Sequence, residues 1–381
     1  MKVAGLFAGI GGLELGLSRA GHEAALLCEV WEPAVSVLES KFPSVPVHRD
    51  ICSLRSLPQG TQLVAAGFPC QDLSQAGRTA GISGKNSGLV DQVFRLLDGS
   101  DVPLVLFENV PFMLRLDKGA AMRRLTSELE SRGYRWAYRI INTLSFLPQR
   151  RERVFVLASR CDIDPAEVLL SDDAQPPAMQ TDFNTKAHGF YWTEGVRGLG
   201  WAVDAIPPLK NGSTVGIPSP PAIVLPGGSI IKPEIRDAER LQGFDARWTE
   251  PAEKEHRPSL RWSLVGNAVS VPVAEWVGKR LASPRQAPHA QERALDLSSG
   301  WPKAAKFDGK RHSQVEIGQF PIWCDRSPLS EFLQFEGSPL SVRATSGFYE
   351  RTQRSSLRFP DGFIDLVRKH LLEAQGNSVA A

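Results

Sequence analysis

A chain of 381 residues, 42% of them hydrophobic and 23% charged, is long enough for a sizeable core and for two or three domains. A net charge of only +2 excludes a general polycationic nucleic-acid binder, so any DNA-binding surface has to be a local patch. Five cysteines (Cys28, Cys52, Cys70, Cys161, Cys324) form no CxxC pair, which argues against a disulfide scaffold or a zinc site; with no basic-then-apolar leader and no spanning apolar run, the expected setting is cytoplasmic.

"KVAGLF" predicts a strand, followed by a glycine-rich turn and by the helical spacing of "LELGLSRA". "EAALLCE" predicts a second strand, and "PAVSVLESKF" a helix with Pro33 near its first turn. "LVAAGF", "VPLVLFENV" and "RVFVLAS" read as further buried strands, and "AAMRRLTSELESRG" as an amphipathic helix stopped by Gly133. Strands alternating with helices over residues 1–160 predict an α/β fold, doubly wound around a mostly parallel sheet that binds ligands at the carboxyl ends of its strands. Residues 161–232, rich in proline, glycine and aromatics, predict loops and short strands or a small second domain. Helical spacing returns in residues 233–282. "SPRQAPHAQ" then reads as a linker, and residues 283–381 as a separate extension ending in the helix "DGFIDLVRKHLLEA".

The polar clusters follow the strands. "LFAGIGG", residues 6–12, either lets a ligand approach the backbone at a helix N-terminus or serves as a structural turn. Glu14 stands where the third glycine of GxGxxG belongs, which argues against a pyrophosphate. Glu29, ending the second strand, suits both hydroxyls of a ribose or stands as a solvated carboxylate, and Asp50 suits an adenine amino group. Together they describe an adenosine-bearing cofactor without a pyrophosphate, and S-adenosylmethionine fits. Cys70 lies in "GFPCQDLSQAG", behind Pro69 and among polar residues, a poor home for a core cysteine. No histidine base lies in the strand-end clusters, and no second thiol is paired with it. Glu108 and Asn109 end another strand; burial there would raise the carboxyl's pKa and let it donate a proton, an ordinary salt-bridged carboxylate being the plainer alternative. Arg151 and Arg153 precede the next strand, and a period of two sends both to one side, where they suit a carbonyl oxygen, a phosphate or the acid.

The ordered blocks "LFAGIGG", "GFPCQ", "ENV", "QRRER", "RLQGF" and "GNAVSVPVA" resemble motifs I, IV, VI, VIII, IX and X of the DNA (cytosine-5) methyltransferase family of bacterial type. The resemblance covers residues 1–160 and 233–282 and implies a Rossmann-like methyltransferase fold. It implies methyl transfer from S-adenosylmethionine to C5 of a cytosine flipped out of a specific duplex sequence, through a covalent bond from Cys70 to C6. S-adenosylhomocysteine would be the product, and no metal is needed. Phe7, Gly9, Gly11, Gly12, Glu29, Val30, Asp50, Ile51, Pro69, Leu89, Asn267 and Val269 would bind the cofactor. Cys70 would be the nucleophile, Glu108 the group at the base's N3 and amino edge, and Arg153 the donor to O2, with Arg151 and Gln149 in support. One departure is visible: Gly5 stands where the family often has Asp or Ser before "LF".

The same resemblance makes "SQAGRTAGISGKNSG" a mobile loop that closes over DNA. It assigns target recognition to residues 161–232, a short interval. The extension is therefore a candidate DNA-binding helper, because it interleaves Arg343, Arg351, Arg354 and Arg358 with Phe348, Tyr349 and Phe359; a small packed domain with a solvated basic face is the alternative. Double-stranded DNA, a restriction or phage-defence partner, no membrane and a monomeric state complete the expectation. The rivals are a tRNA cytosine-5 methyltransferase, whose Cys-Phe-Thr signature is absent, and a non-catalytic DNA-binding relative, which would not need Cys70, Glu108 and Arg153 together.

Overall fold

Residues 1–68, 88–210, 220–286 and 291–379 are described by a computed structural model of the chain. Pro69, Cys70 and most of the expected mobile loop lie outside the described residues, as do residues 287–290 of the expected linker. The chain divides into two units: Met1–Asn142, Glu152–Gln175 and Ala268–Trp323 form the first, and Thr143–Arg151, Pro176–Asn267 and Cys324–Ala381 the second.

In chain order the first unit contributes β1 (Lys2–Leu6), α1 (Gly12–Arg19), β2 (Glu23–Cys28), α2 (Glu32–Lys41), β3 (Val47–His48), β4 (Leu63–Ala66) and α3 (Leu89–Asp98). It continues with β5 (Leu104–Asn109), α4 (Ala120–Ser131), β6 (Arg135–Asn142), β7 (Glu152–Ser159) and α5 (Pro165–Leu169). The second unit supplies β8 (His188–Phe190), β9 (Ala202–Val203), β10 (Ala222–Val224), β11 (Ile230–Lys232), α6 (Ile235–Leu241) and α7 (Leu260–Asn267). The first unit resumes with α8 (Val271–Ala282), β12 (Glu292–Ala294), β13 (Ala304–Phe307) and β14 (His312–Val315). The second closes with α9 (Leu329–Phe332), β15 (Ser338–Pro339), α10 (Val342–Gln353) and α11 (Phe363–Val379).

The first unit is an α/β fold on a ten-stranded sheet of order β12-β14-β13-β6-β7-β5-β4-β1-β2-β3. From β3 to β5 every pairing is parallel. These strands are covered on both faces, so they have to be continuous apolar runs, and β4 and β5 are buried at every residue. One face carries α3, which buries Val90, Val93, Phe94 and Leu97, and α4, which buries Met122, Leu125 and Leu129. Against the other lie α1 and α8, held very close: a Cβ built on Gly16 would stand 2.5 Å from both Ala274 Cβ and the Val271 carbonyl oxygen.

Beyond β5 the sheet turns antiparallel, Glu108 pairing with Phe155 of β7. β13 then pairs with β6, where Trp136 stacks on Tyr138 at 6.1 Å and is ringed by Trp301, Phe307 and His312. The second unit holds an antiparallel sheet of order β15-β11-β10-β8-β9. Its core gathers Phe190, Val224, Ile230, Phe348, Phe363 and Val367, and full burial of each such side chain contributes about 2 kcal/mol.

Residues 283–381 therefore do not form one extension. β12, β13 and β14 widen the first unit's sheet, and Cys324–Ala381 belongs to the second unit, with β15 paired to β11. Residues 161–232 and 233–282 are divided as well: α5 and α8 lie in the first unit, while α6 and α7 lie in the second. The basic-aromatic stretch splits by chemistry. Phe348 is core, Tyr349 and Phe359 pack against it, and Arg351 donates to the carbonyls of Trp192 (2.6 Å) and Glu194 (2.8 Å). These aromatics are spent on packing, so they are not available as wedges into DNA; Arg343, Arg354 and Arg358 stay exposed.

Candidate active site

Between β1 and α1 the backbone twists back on itself, with positive φ at Phe7 (56°), Gly9 (57°) and Gly11 (82°). A side chain is strained at each of these, and at Gly11 a Cβ would also sit 2.4 Å from the Phe42 ring. The twist delivers the Gly9 N–H to Glu29 Oε2 at 2.8 Å, across from β1 to the end of β2. Oε1 of Glu29 accepts from the N–H groups of Val30 (3.0 Å) and Trp31 (2.8 Å). Three backbone donors thus fix one carboxylate at the strand's carboxyl end. Next to it Val30 is 70% exposed, a bare aliphatic surface, whereas Ile51 is buried in the core. Arg95 of α3 ties down the carbonyls of Ile51 (3.0 Å) and Leu54 (2.8 Å), and Asp50 Oδ1 accepts from the Cys52 N–H. Leu89, at the start of α3, packs on the same core.

The adjacent strand ends carry the acid. Glu108 is 8% exposed, and its Oε1 lies 3.0 Å from Arg153 Nε. A Cβ built on Gly67, just past β4, would stand 3.7 Å from Glu108 Oε2, 3.9 Å from the Phe7 carbonyl oxygen and 4.0 Å from Val269 Cγ2. The acid, the glycine-rich turn and Val269, two residues before α8, therefore meet three positions ahead of Cys70. Asn109 turns its Oδ1 to the Val110 N–H at 2.8 Å. Cys28, at the end of β2, is core, and burial pushes its thiol up to about 12, so it is inert. No group of His, Cys, Asp and Glu is placed to hold a metal ion, and no helix is long and apolar enough to cross a membrane, among the described residues.

The sequence model of the family described as C-5 cytosine-specific DNA methylase matches residues 1–197. The chain is 45% identical to the type II methyltransferase M2.BsuMI of Bacillus subtilis (strain 168), over 97% of this chain and 98% of that one. The chain belongs to the C-5 cytosine-specific DNA methylases. Like other members it is a DNA cytosine-5 methyltransferase. It is also 27% identical to the type II methyltransferase M.HaeII of Haemophilus aegyptius, over 78% of this chain and 98% of that one. The solved Dnmt2 methyltransferase of S. pombe has the same fold, with a TM-score of 0.54 and 17% identity over 74% of this chain and 98% of that one.

Three predicted site residues of the methylase, Gln149, Arg151 and Asn267, lie in its second unit. Arg151 is one residue short of β7, so the period of two that would align it with Arg153 does not apply. Its guanidinium, 1% exposed, donates to the carbonyls of Leu209 (2.9 Å) and Gly266 (3.1 Å). Arg151 thereby fixes the end of α7, whose last residue is the exposed Asn267. Gln149 works alongside it, donating to the Leu241 carbonyl at 2.8 Å and accepting from the Leu209 N–H at 3.0 Å. Sequence reasoning missed what holds this region together. Glu239 is fully buried and accepts from Arg261 and from the N–H groups of Arg247 and Thr249, while Gln242 donates to the Val265 carbonyl. The available signal was an acid and an amide, Glu239 and Gln242, within the helical spacing of "DAERLQGF".

Proposed function

We propose that this methylase binds S-adenosylmethionine at the ends of β1 and β2 and methylates a flipped-out cytosine by covalent catalysis from Cys70. One observation carries the reading: the Glu108–Arg153 pair at the Gly67 strand end that leads into Cys70, on the same parallel sheet as the oriented Glu29. The residues fit the cofactor. A Cβ on Gly9 would meet nothing within 4 Å, so the turn has open space before it. Glu29 is held ready for ribose hydroxyls, and the bare Val30 suits an adenine face. Phe7, Gly11, Gly12, Asp50, Ile51, Pro69, Leu89 and Val269 complete the proposed site.

S-adenosylmethionine, when bound, supplies the methyl group. The chain's residues make C5 able to take it. The Cys70 thiolate adds to C6 of the cytosine, which turns the ring into an enamine nucleophilic at C5. Negative charge develops on N3 and O2. Glu108, positioned by Arg153, serves N3 and the amino edge, and Arg153 serves O2. Loss of the C5 proton expels Cys70 and restores the aromatic ring. A base inside a duplex is out of reach of a thiol, so flipping is required, at a cost of a few kcal/mol.

The Bacillus subtilis relative is named a type II methyltransferase, which supports the modification half of a restriction pair; a phage-defence partner, double-stranded DNA as substrate and a cytoplasmic setting belong to the same proposal. The second unit is the proposed reader of the target sequence, with Arg343, Arg354 and Arg358 on phosphates. Changing these three to Gln should weaken DNA binding and lower the salt-dependence slope by about one per lost phosphate contact, with cofactor affinity unchanged. An unchanged slope would remove them from the interface. The function itself is tested by expressing the chain in a methylation-free host and mapping 5-methylcytosine at base resolution in DNA and in tRNA. A defined methylated DNA context is expected. Methylation confined to tRNA, or absent from both, would sink the proposal.

A further inference from the structure

Glu14 is an acid in the first turn of α1, where such residues ordinarily face water and the helix's unpaired N–H groups. Here it is 2% exposed, and neither carboxyl oxygen has a hydrogen-bond partner among the described residues. The carboxyl lies against β1. A Cβ built on Gly5 would stand 2.1 Å from Glu14 Oε1 and 2.8 Å from Cδ. The carboxyl thus fills the volume that any side chain at position 5 would need, and Gly5 is what admits it. Packing alone gives no reason for an acid here, since leucine of similar size would be buried without the loss of solvation. Burial, opposed by its own main-chain N–H and aided by the nearby charge of Glu29, raises the carboxyl's pKa to about 8.

A buried carboxyl without a partner gains from any positive charge brought near it, and gains most where water is excluded. The glycine-rich turn that begins just after Gly5 is where the cofactor is read to bind. That cofactor's sulfonium carries a charge but no N–H or O–H donor, so a hydrogen bond has nothing to offer it. A charge acting through space does. S-adenosylhomocysteine keeps the amino-acid and adenosine groups and loses only the sulfonium charge.

We propose that Glu14, seated under the glycine-rich turn in the space left by Gly5, is the counter-charge that favours the sulfonium cofactor over its uncharged thioether product. It rests on the cofactor reading above. Glu14 touches neither ligand in it and is a positioning residue.

The test is calorimetric titration of S-adenosylmethionine and S-adenosylhomocysteine into the full chain at pH 8. Wild type is compared with Glu14→Gln, with Glu14→Met as a second neutral variant of similar length, and with a Gly5→Asp/Glu14→Ala double variant. Loss of the carboxyl should cost S-adenosylmethionine about tenfold more affinity than S-adenosylhomocysteine, and the double variant should recover part of that ratio. A structural role would weaken both ligands equally; an unchanged ratio in both neutral variants overturns the assignment while leaving the cofactor reading intact. Wild-type protein that binds neither ligand overturns the cofactor reading, and the assignment falls with it.

Discussion

Cys70→Ser should reduce methylation to background, and Glu108→Gln should slow it about 10²–10³-fold, with cofactor binding preserved in both. The two losses have different causes. A serine hydroxyl is a far weaker nucleophile than a thiolate and would need a base to remove its proton, which Glu108 is not placed to be: its Oε1 is engaged by Arg153 at 3.0 Å. Glu108→Gln keeps the size of the group but removes its capacity to exchange a proton at N3. Arg153→Lys keeps the charge and loses the planar fork that reaches both Glu108 and a carbonyl oxygen. Because Glu108 and Arg153 form one pair, the double variant should lose less than the product of the single losses. Single-turnover methylation of duplex DNA, with calorimetry for the cofactor, measures all four. Methylation by Cys70→Ser within tenfold of wild type would end the covalent mechanism.

The parallel half of the first unit was legible because burial on both faces forces continuous apolar strands, and because acids close two of them, Glu29 just past β2 and Glu108 in the last two residues of β5. Glu29 and Glu108 stand out in the sequence for the same reason that they are placed for chemistry: each is an acid that interrupts an apolar run at the carboxyl end of its strand. The antiparallel additions were not legible. β12 and β14, the short strands "ERA" and "HSQV", are exposed or half-exposed at every residue but Val315, and neither alternates apolar with polar residues in a way that announces a pairing. β15, two residues long, joins β11 across more than one hundred residues, and no local periodicity carries that information. The aromatics of residues 348–363 had the composition of a DNA-binding wedge and the position of a core. Only their contacts with Phe190 and with each other distinguish the two. Arg151 and Arg153, two residues apart, serve different units because the strand begins between them.

The pH dependence of the cofactor-free fold should show Glu14 directly. Its carboxyl has an ordinary value of 4.5 and is raised to about 8 when folded, chiefly by burial. Below pH 4.5 both the folded and unfolded chains hold the proton, and this group leaves stability unaffected by pH. Between that point and about pH 8 the unfolded chain releases the proton while the folded chain keeps it. The unfolded state is favoured progressively, so stability falls as pH rises, by a total on the order of 4 kcal/mol across the window. Above it both states are ionised and the loss is complete. Glu14→Gln has no proton to release. It should therefore match wild type near pH 5 and exceed it near pH 8.5, whatever the other carboxylates contribute, because they are common to both proteins. Chemical denaturation of the pair at those two pH values measures the difference. A stability gap that is the same at both would mean that the carboxyl ionises in the fold as readily as in water, and that the space beside Gly5 is open to solvent.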